Sequence, residues 1–246
     1  MERLDKIISS QTKYSRKQIK ELIHQKRILV NNKIALKSDV KIDPNNTLIE
    51  IDGKKLNIKK HIYLILNKPK GYISATEDKN TKTVLDLVPD EYSNRNLFPA
   101  GRLDKDTTGL MLITDDGEFA HNILSPKKHI KKTYHVIIDI PINNEMIEGF
   151  KKGVMLNDGE CKTAILEKID TYQAKVILTE GRYHQIKRMF GCFKAKVLEL
   201  ERIGMGNHIL PDDLKLGECR ELRESELYQI SENIISKKVL ICKKKN

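Results

Sequence analysis

Residues 100–114 read AGRLDKDTTGLMLIT, a polar, turn-rich segment that continues directly into an apolar one. The last part, Leu110–Thr114, is typical of a buried strand, and the residues before it are typical of a loop. A loop held by a rigid strand is a place where proteins present reactive side chains to a ligand. Asp104 and Asp106 are both candidates for a reactive carboxylate, but either could simply cap a turn. Composition alone does not choose between them.

Strand-like and helix-like runs surround this segment without alternating as regular βαβ units. We therefore expect an α+β fold with a larger mixed, mainly antiparallel sheet in this part of the chain. The expected strands are Tyr63–Leu66, Leu110–Thr114, Tyr134–Ile138, Lys175–Thr179 and Lys196–Leu200. The expected helices are Glu118–Leu124, Asn144–Lys151, His184–Phe190 and Glu226–Ile235.

The first quarter of the chain has a different pattern, which predicts a small α/β domain. Ser15 followed by Gln18 is a capping box, and the helix that it opens places Ile19, Leu22 and Ile23 on one face. The pair Asn31-Asn32 between two short apolar runs predicts a tight hairpin, since asparagine tolerates positive φ. Residues 47–51 form a further expected strand.

Positive charge is concentrated in the same quarter. The chain has a formal net charge of +11, and residues 1–59 carry 14 Lys/Arg against 7 Asp/Glu. This favours a polyanionic partner, because cations that neutralise phosphates release counterions. A solvated helix face is the simpler alternative, but the clustering favours RNA. The candidate RNA contacts here are Arg3, Lys6, Arg16, Lys17, Lys20 and Arg27.

Two further segments carry candidate site residues. Residues 179–190 read as a strand end, a glycine turn and a helix start, where free backbone N–H groups lie beside Arg182, His184 and Lys187. Such a helix start suits a phosphate or an acidic group. Residues 131–138 alternate as a strand, with Tyr134 on its apolar face. By themselves, His184 could be a structural hydrogen-bonding residue and Tyr134 a core aromatic.

The motifs resemble known families. Residues 3–6, Ser15-Arg16 and residues 27–31 resemble the S4 RNA-binding module. Gly101-Arg102-Leu103-Asp104 with residues 107–110 resembles the central motif of the pseudouridine synthases. Residues 67–72, 132–134 and 180–190 resemble the opening, tyrosine and closing motifs of the RsuA/RluB/E/F branch, which also carries an S4 module. The motifs occur in the family order and span nearly the whole chain.

The resemblance implies a catalytic role for Asp104 rather than Asp106. The reaction would break the N-glycosidic bond of a flipped uridine and rejoin the base through C5, with Asp104 as nucleophile or as a base at the sugar. Tyr134 would stack on the base and Lys187 would pair with Asp104, although related branches often have arginine there. Arg102, Arg182, His184 and Arg188 would contact RNA.

The resemblance also implies the partner. Details of three motifs are most similar to the small-subunit members of the branch, which implies 16S rRNA, at uridine 516, as naked RNA or in a partly assembled subunit. A 23S rRNA synthase and a non-catalytic S4-bearing assembly factor remain alternatives. We expect a cytoplasmic monomer without cofactor or metal, because the sequence shows no signal peptide, membrane span, dinucleotide loop or metal-ligand spacing.

The expected organisation has four parts. Residues 1–58 form the S4-like domain, residues 59–61 a linker, residues 62–235 the catalytic domain and residues 236–246 a basic tail.

Overall fold

The computed structural model describes residues 1–125 and 127–231, which form two compact units. The first unit consists of Met1–Ile62 together with Val88–Leu97, and the second of Tyr63–Leu87 and the described residues from Phe98 onward. The expected basic tail, and the end of the expected helix Glu226–Ile235, lie outside the described residues.

The first unit is a small α/β domain with two helices against short strands. Strands β2, β3, β5 and β6 form a four-stranded antiparallel sheet in the order β3-β2-β5-β6, and β1 pairs with β4. The elements are β1 (Glu2–Arg3), α1 (Leu4–Gln11), α2 (Arg16–His24), β2 (Ile28–Val30), β3 (Lys33–Ile34), β4 (Lys41–Ile42), β5 (Ile49–Ile51) and β6 (Lys54–Lys55).

Local sequence signals account for the start of α2 and for the hairpin after it. The Ser15 hydroxyl accepts a hydrogen bond from the Gln18 backbone N–H, and the Gln18 side chain accepts one from the Ser15 N–H, which confirms the capping box. Ile19, Leu22 and Ile23 are buried. Asn31 and Asn32 both have positive φ, at 49° and 62°, and connect β2 to β3 as predicted.

Residues 88–97 belong to the first unit although they follow strand residues of the second. The Arg95 guanidinium donates to the carbonyl oxygens of Ser10 at 2.8 Å and Lys59 at 2.6 Å. The side chain of Gln11 also bonds the backbone of Lys59, through both its N–H and its carbonyl. Residues expected to be a linker are therefore held by side chains from two distant parts of the sequence.

The second unit is built on a nine-stranded mixed sheet. Its elements are β7 (Tyr63–Lys68), β8 (Phe98–Pro99), β9 (Thr108–Thr114), α3 (Gly117–Leu124), β10 (Lys132–Ile138), α4 (Asn144–Lys152), β11 (Met155–Leu156), β12 (Gly159–Glu160), β13 (Ile165–Lys168), β14 (Gln173–Leu178), α5 (Gln185–Gly191), β15 (Val197–Met205), β16 (His208–Ile209) and β17 (Cys219–Glu221). Short 3₁₀ turns cover Val84–Leu87 and, in the first unit, Asp90–Tyr92, and residues 224–231 are helical.

The main strand order is β13-β14-β10-β15-β9-β7-β17, with β16 on β15 and β8 on β9. All of these pairs are antiparallel except β15 with β9. The expected α+β class with a mainly antiparallel sheet is confirmed. Within the described residues, no helix is both long enough and apolar enough to cross a membrane.

Candidate active site

The loop between β8 and β9 is held in place by the strand that opens the second unit. Lys68, at the end of β7, is completely buried, and its ammonium lies within hydrogen-bonding distance of backbone carbonyls in this loop: Asp104 at 3.0 Å, Lys105 at 3.4 Å and Thr107 at 2.8 Å. Burial lowers the pKa of Lys68 to about 8. A buried cation that bonds several carbonyls of one loop fixes the course of that loop.

Three further hydrogen bonds hold the other side of the loop. The Ser74 hydroxyl donates to the Leu103 carbonyl and accepts from the Leu103 N–H, both at 2.9 Å. The Gly71 N–H donates to the Lys105 carbonyl at 2.8 Å. The backbone on either side of Asp104 is therefore anchored before any ligand arrives.

Asp104 faces helix α5 and the turn that precedes it. One of its carboxylate oxygens lies 3.1 Å from the Lys187 ammonium, and the other lies 3.4 Å from the His184 ring. Asp106 shares the same lysine at 2.6 Å, but its own side chain is 69% exposed. The structure thus brings Asp104 and Lys187 together as expected, and adds Asp106 as a second partner of the lysine.

The charges of this cluster reinforce one another. Burial lowers the pKa of Lys187, but hydrogen bonds to Asp106 and Asp104 and their negative charges outweigh burial and raise that pKa above its usual value. The hydrogen bond from Lys187 lowers the pKa of Asp106. Lys187 therefore stays protonated at neutral pH and can orient the Asp104 carboxylate.

Asp104 lines a cavity of about 700 Å³ whose opposite wall is the sheet. Strand register places Tyr134 of β10 directly beside Arg202 of β15, and Lys132 lies two residues before Tyr134 on the same face. All three side chains line the cavity and are buried. Apolar side chains of Leu178, Ile186 and Leu200 complete much of the lining. An aromatic ring with apolar walls suits a flat ring.

The turn before α5 is fixed by its own side chains. Gln185 accepts a hydrogen bond from the Arg182 N–H at 3.0 Å and donates to Glu180 at 2.7 Å. His184 occupies the left-handed region at φ 46° and stacks on Tyr183, which is 72% exposed. This backbone conformation places His184 beside Asp104.

The other residues of the second unit that were predicted to contact RNA differ in the bonds that they make within the protein. Arg188 forms a two-pronged ion pair with Asp158, and Arg182 donates to the carbonyls of Gly159 and Glu160. These two arginines hold the β11–β12 hairpin. Arg102 is exposed and lines the cavity.

In the first unit, the six predicted RNA contacts are all exposed, but only half carry an ion pair among the described residues. Arg3 pairs with Asp5, and Arg27 pairs with Asp52 through two bonds of 2.6 and 2.7 Å. Lys6 pairs with Glu2. The remaining residues, Arg16, Lys17 and Lys20, lie on α2.

Residues with roles in the site that the sequence did not predict are Lys68, Ser74, Lys132 and Arg202, whereas Asp106 was a candidate whose contact with Lys187 was not expected. Lys68 and Arg202 each lie two residues beyond a run that was expected to be a strand, and this position at a strand end was the available signal. Among the described residues, no group of three or more His, Cys, Asp or Glu side chains is placed to hold a metal ion.

Comparison with known proteins agrees with this architecture. Residues 62–191 match the model of the RNA pseudouridylate synthase family, and residues 2–48 match that of the S4 domain. The chain is 38% identical to an RNA pseudouridine synthase of Bacillus subtilis, over 94% of this chain and 98% of the relative. It is 40% identical to ribosomal small subunit pseudouridine synthase A of Escherichia coli, over 93% and 99%.

A solved structure gives the same result. A crystal structure of a pseudouridylate synthase matches with a TM-score of 0.66 and 35% identity, over 94% of this chain and all of that chain. These matches confirm the resemblance drawn from the four motifs and the N-terminal module. The chain belongs to the RNA pseudouridylate synthase family and carries an S4 domain at its N-terminal end.

Proposed function

We propose that this protein converts a specific uridine of ribosomal RNA to pseudouridine and that Asp104 is its catalytic carboxylate. The observation that carries the proposal is the position of Asp104, which is 3.1 Å from Lys187 and lines the same cavity as the Tyr134 ring. The backbone around Asp104 is anchored by Lys68 and Ser74. Such a prepositioned carboxylate suits a reaction at the sugar of a bound nucleotide.

The cavity explains how the substrate would be engaged. A uridine stacked in RNA is inaccessible, so the nucleotide must be flipped out of its helix. The flipped base stacks on Tyr134, and its ribose then faces Asp104. Lys187 orients the carboxylate, which acts either on C1′ or on the 2′ proton, while Arg102 and His184 at the cavity bind the neighbouring RNA.

Small-subunit 16S rRNA is the substrate we propose, with uridine 516 as the target. Support comes from relatives named ribosomal small subunit pseudouridine synthase A, which are about 40% identical over more than nine tenths of this chain. A ribosomal substrate, naked or partly assembled, places the protein in the cytoplasm, where we expect it to act as a monomer.

The first unit supplies sequence-independent RNA affinity in this proposal. Residues 1–58 are the S4-like domain in this proposal, and the first unit also contains residues 59–62 and 88–97. Arg16, Lys17 and Lys20 are its exposed helix cations, and phosphate contacts by such groups dominate RNA affinity.

Chemical mapping of pseudouridine in both ribosomal RNAs tests the proposal. Unmodified 16S and 23S RNA, and partly assembled subunits, are incubated with wild-type protein or with Asp104→Asn. We expect one new pseudouridine in 16S RNA with wild-type protein and none with the variant, while RNA affinity is retained.

Other outcomes separate the parts of the proposal. A single site in 23S RNA would retain the chemistry and replace the substrate. Turnover by Asp104→Asn would remove Asp104 from its role. Tight RNA binding without a modified site in any assembly state would make the protein a binding factor.

A further inference from the structure

Two buried cations from strands of the main sheet line the cavity, together with Asp104 of the loop between β8 and β9. Arg202 is 1% exposed and Lys132 is 6% exposed. They belong to neighbouring strands, β15 and β10, and share the sheet face that carries Tyr134. Neither is among the residues to which the proposed reaction assigns a role.

The hydrogen-bonding capacity of both cations is only partly used by the protein. A guanidinium has five N–H donors, yet among the described residues Arg202 bonds only the Leu110 carbonyl, at 2.6 Å, and the Met111 sulfur, at 3.9 Å. Lys132 has three donors and reaches only the Ile130 carbonyl, at 3.4 Å. Within the described ranges, no carboxylate oxygen lies within 4.0 Å of either cation.

Burial of these two weakly bonded cations side by side costs free energy. A buried charge is expensive unless it is paired, and two like charges in one wall repel each other. Burial and the nearby Arg202 charge lower the pKa of Lys132 to about 8, and the negative charge of Glu180 offsets only part of this effect. A ligand that brings several acceptors, or negative charge, to this wall would therefore be bound strongly.

We propose that Lys132 and Arg202 bind the carbonyl edge of the uracil ring and take up the negative charge that the base acquires when it is detached from the sugar. This inference rests on the proposed function and assigns the part of the site that holds the base. Across the strands, Arg202 is about 5 Å from Tyr134 at Cβ, and along β10 Lys132 is about 7 Å from it. A ring stacked on Tyr134 would have both cations at its edges.

The electron balance of the reaction gives these cations a chemical role. When the C1′–N1 bond breaks, its electron pair remains on N1, and the charge is shared by O2 and O4. This holds whether the Asp104 carboxylate bonds C1′ or removes the 2′ proton. C5 then bonds C1′ and the carboxylate is restored, while the base loses its C5 proton and gains one on N1.

The rest of the cavity favours a base over a phosphate. Leu178, which is the register partner of Lys132, and Leu200 line the same cavity and offer no donors for the remaining oxygens of a phosphate group. A flat ring with two carbonyl oxygens matches one aromatic face and two cationic edges. Cytosine presents an amino group in place of O4, which two cations would reject.

The test compares Lys132→Met with Lys131→Met, which removes the same charge from an exposed neighbouring position. Single-turnover isomerisation and RNA affinity are measured for RNA with uridine or 5-fluorouridine at the target. Removing one charge stabiliser should slow the uridine reaction about 100-fold while affinity is nearly unchanged. Lys131→Met should react like wild type.

Fluorouridine separates an electronic role from a structural one. Fluorine makes the departing base less basic, so the loss in Lys132→Met, measured as disappearance of intact fluorouridine, should be several-fold smaller than with uridine. Because the folded fraction cancels in this ratio, the comparison holds even if the variant is less stable. Arg202→Lys, which keeps the charge, should lose less than Arg202→Met.

The contrary results are distinct. Equal losses with both nucleosides, or a Lys132→Met rate close to wild type, would overturn the inference. If Lys132→Met binds RNA more weakly, and inorganic phosphate weakens RNA binding by the wild-type protein in the same way, the two cations bind a phosphate. If wild-type protein modifies no uridine, the proposed function fails instead.

Discussion

At the scale of single residues, the charge arrangement of the site depends on one lysine that two aspartates share. Lys187 lies 3.1 Å from Asp104 and 2.6 Å from Asp106, and both raise its pKa. Composition could not choose between the two aspartates, and only the resemblance pointed to Asp104. The structure adds a physical difference, because Asp106 is 69% exposed whereas Asp104 is 25% exposed.

Asp106→Asn should therefore change the pH dependence more than the maximal rate. Loss of one anion lowers the pKa of Lys187, since that pKa is raised partly by Asp106. A raised lysine pKa keeps the ion pair with Asp104 intact until pH rises through it. In the variant, the pair should thus be lost at lower pH, and the alkaline fall of the pH–rate profile should move down.

Asp104→Asn is the matched comparison and should show no measurable rate at any pH. An alkaline limb that does not move in Asp106→Asn would mean that Lys187 does not control activity through this pair.

At the scale of elements, the close approach of β9 and β15 sets the shape of the cavity wall. Gly109 has a φ of +97°, and a Cβ there would clash with the Arg202 carbonyl oxygen and lie 2.9 Å from the Arg202 backbone nitrogen. Gly71 has nearly the same φ, +93°, but a Cβ there meets nothing within 4 Å. A comparison of alanine substitutions at the two glycines thus separates the cost of positive φ from the cost of steric contact.

Gly109→Ala should be less stable than Gly71→Ala by about 1–3 kcal/mol, the usual cost of overpacking, because both share the cost of positive φ. Urea unfolding of the two variants measures the difference. Equal stabilities would show that β15 moves away from β9 without cost. Isomerisation should fall further in Gly109→Ala, since displacement of Arg202 disturbs the wall.

The element types were largely predictable, and the strands that were underestimated have a common cause. The expected strand Lys196–Leu200 in fact covers Val197–Met205, and Tyr63–Leu66 continues to Lys68. Each expectation ended short of a buried cation, Arg202 or Lys68. Apolar alternation cannot reveal that a charge inside a strand is matched by loop carbonyls or awaits a ligand. The missed strand ends are thus the parts that form the site.

At the scale of the whole molecule, we expect the positive charge of the first unit to provide RNA affinity and the cavity of the second unit to carry out the reaction. Arg16, Lys17 and Lys20 are exposed on α2, whose apolar residues Ile19, Leu22 and Ile23 are buried. Replacing all three by glutamine should weaken RNA binding and reduce the slope of log affinity against log salt by about 0.7–0.9 for each phosphate that the protein no longer neutralises. The rate with bound RNA should be unchanged.

Substitution is a cleaner test here than deletion of residues 1–58. Deletion would remove the Ser10 carbonyl that Arg95 bonds, together with the rest of the unit in which residues 88–97 pack. Fluorescence anisotropy at several salt concentrations gives the slope. An unchanged slope would show that α2 does not contact phosphate.

The membership of residues 88–97 in the first unit has a consequence for synthesis on the ribosome. A polypeptide emerges from its N terminus, so an S4-like domain encoded by the first 62 residues could finish folding early. Here the contacts of Arg95 with Ser10 and Lys59 are available only after residues 63–95 have also been made, about half as much chain again. Strand β7 of the second unit is therefore synthesised before the first unit can be completed. Folding of the two units thus overlaps in time.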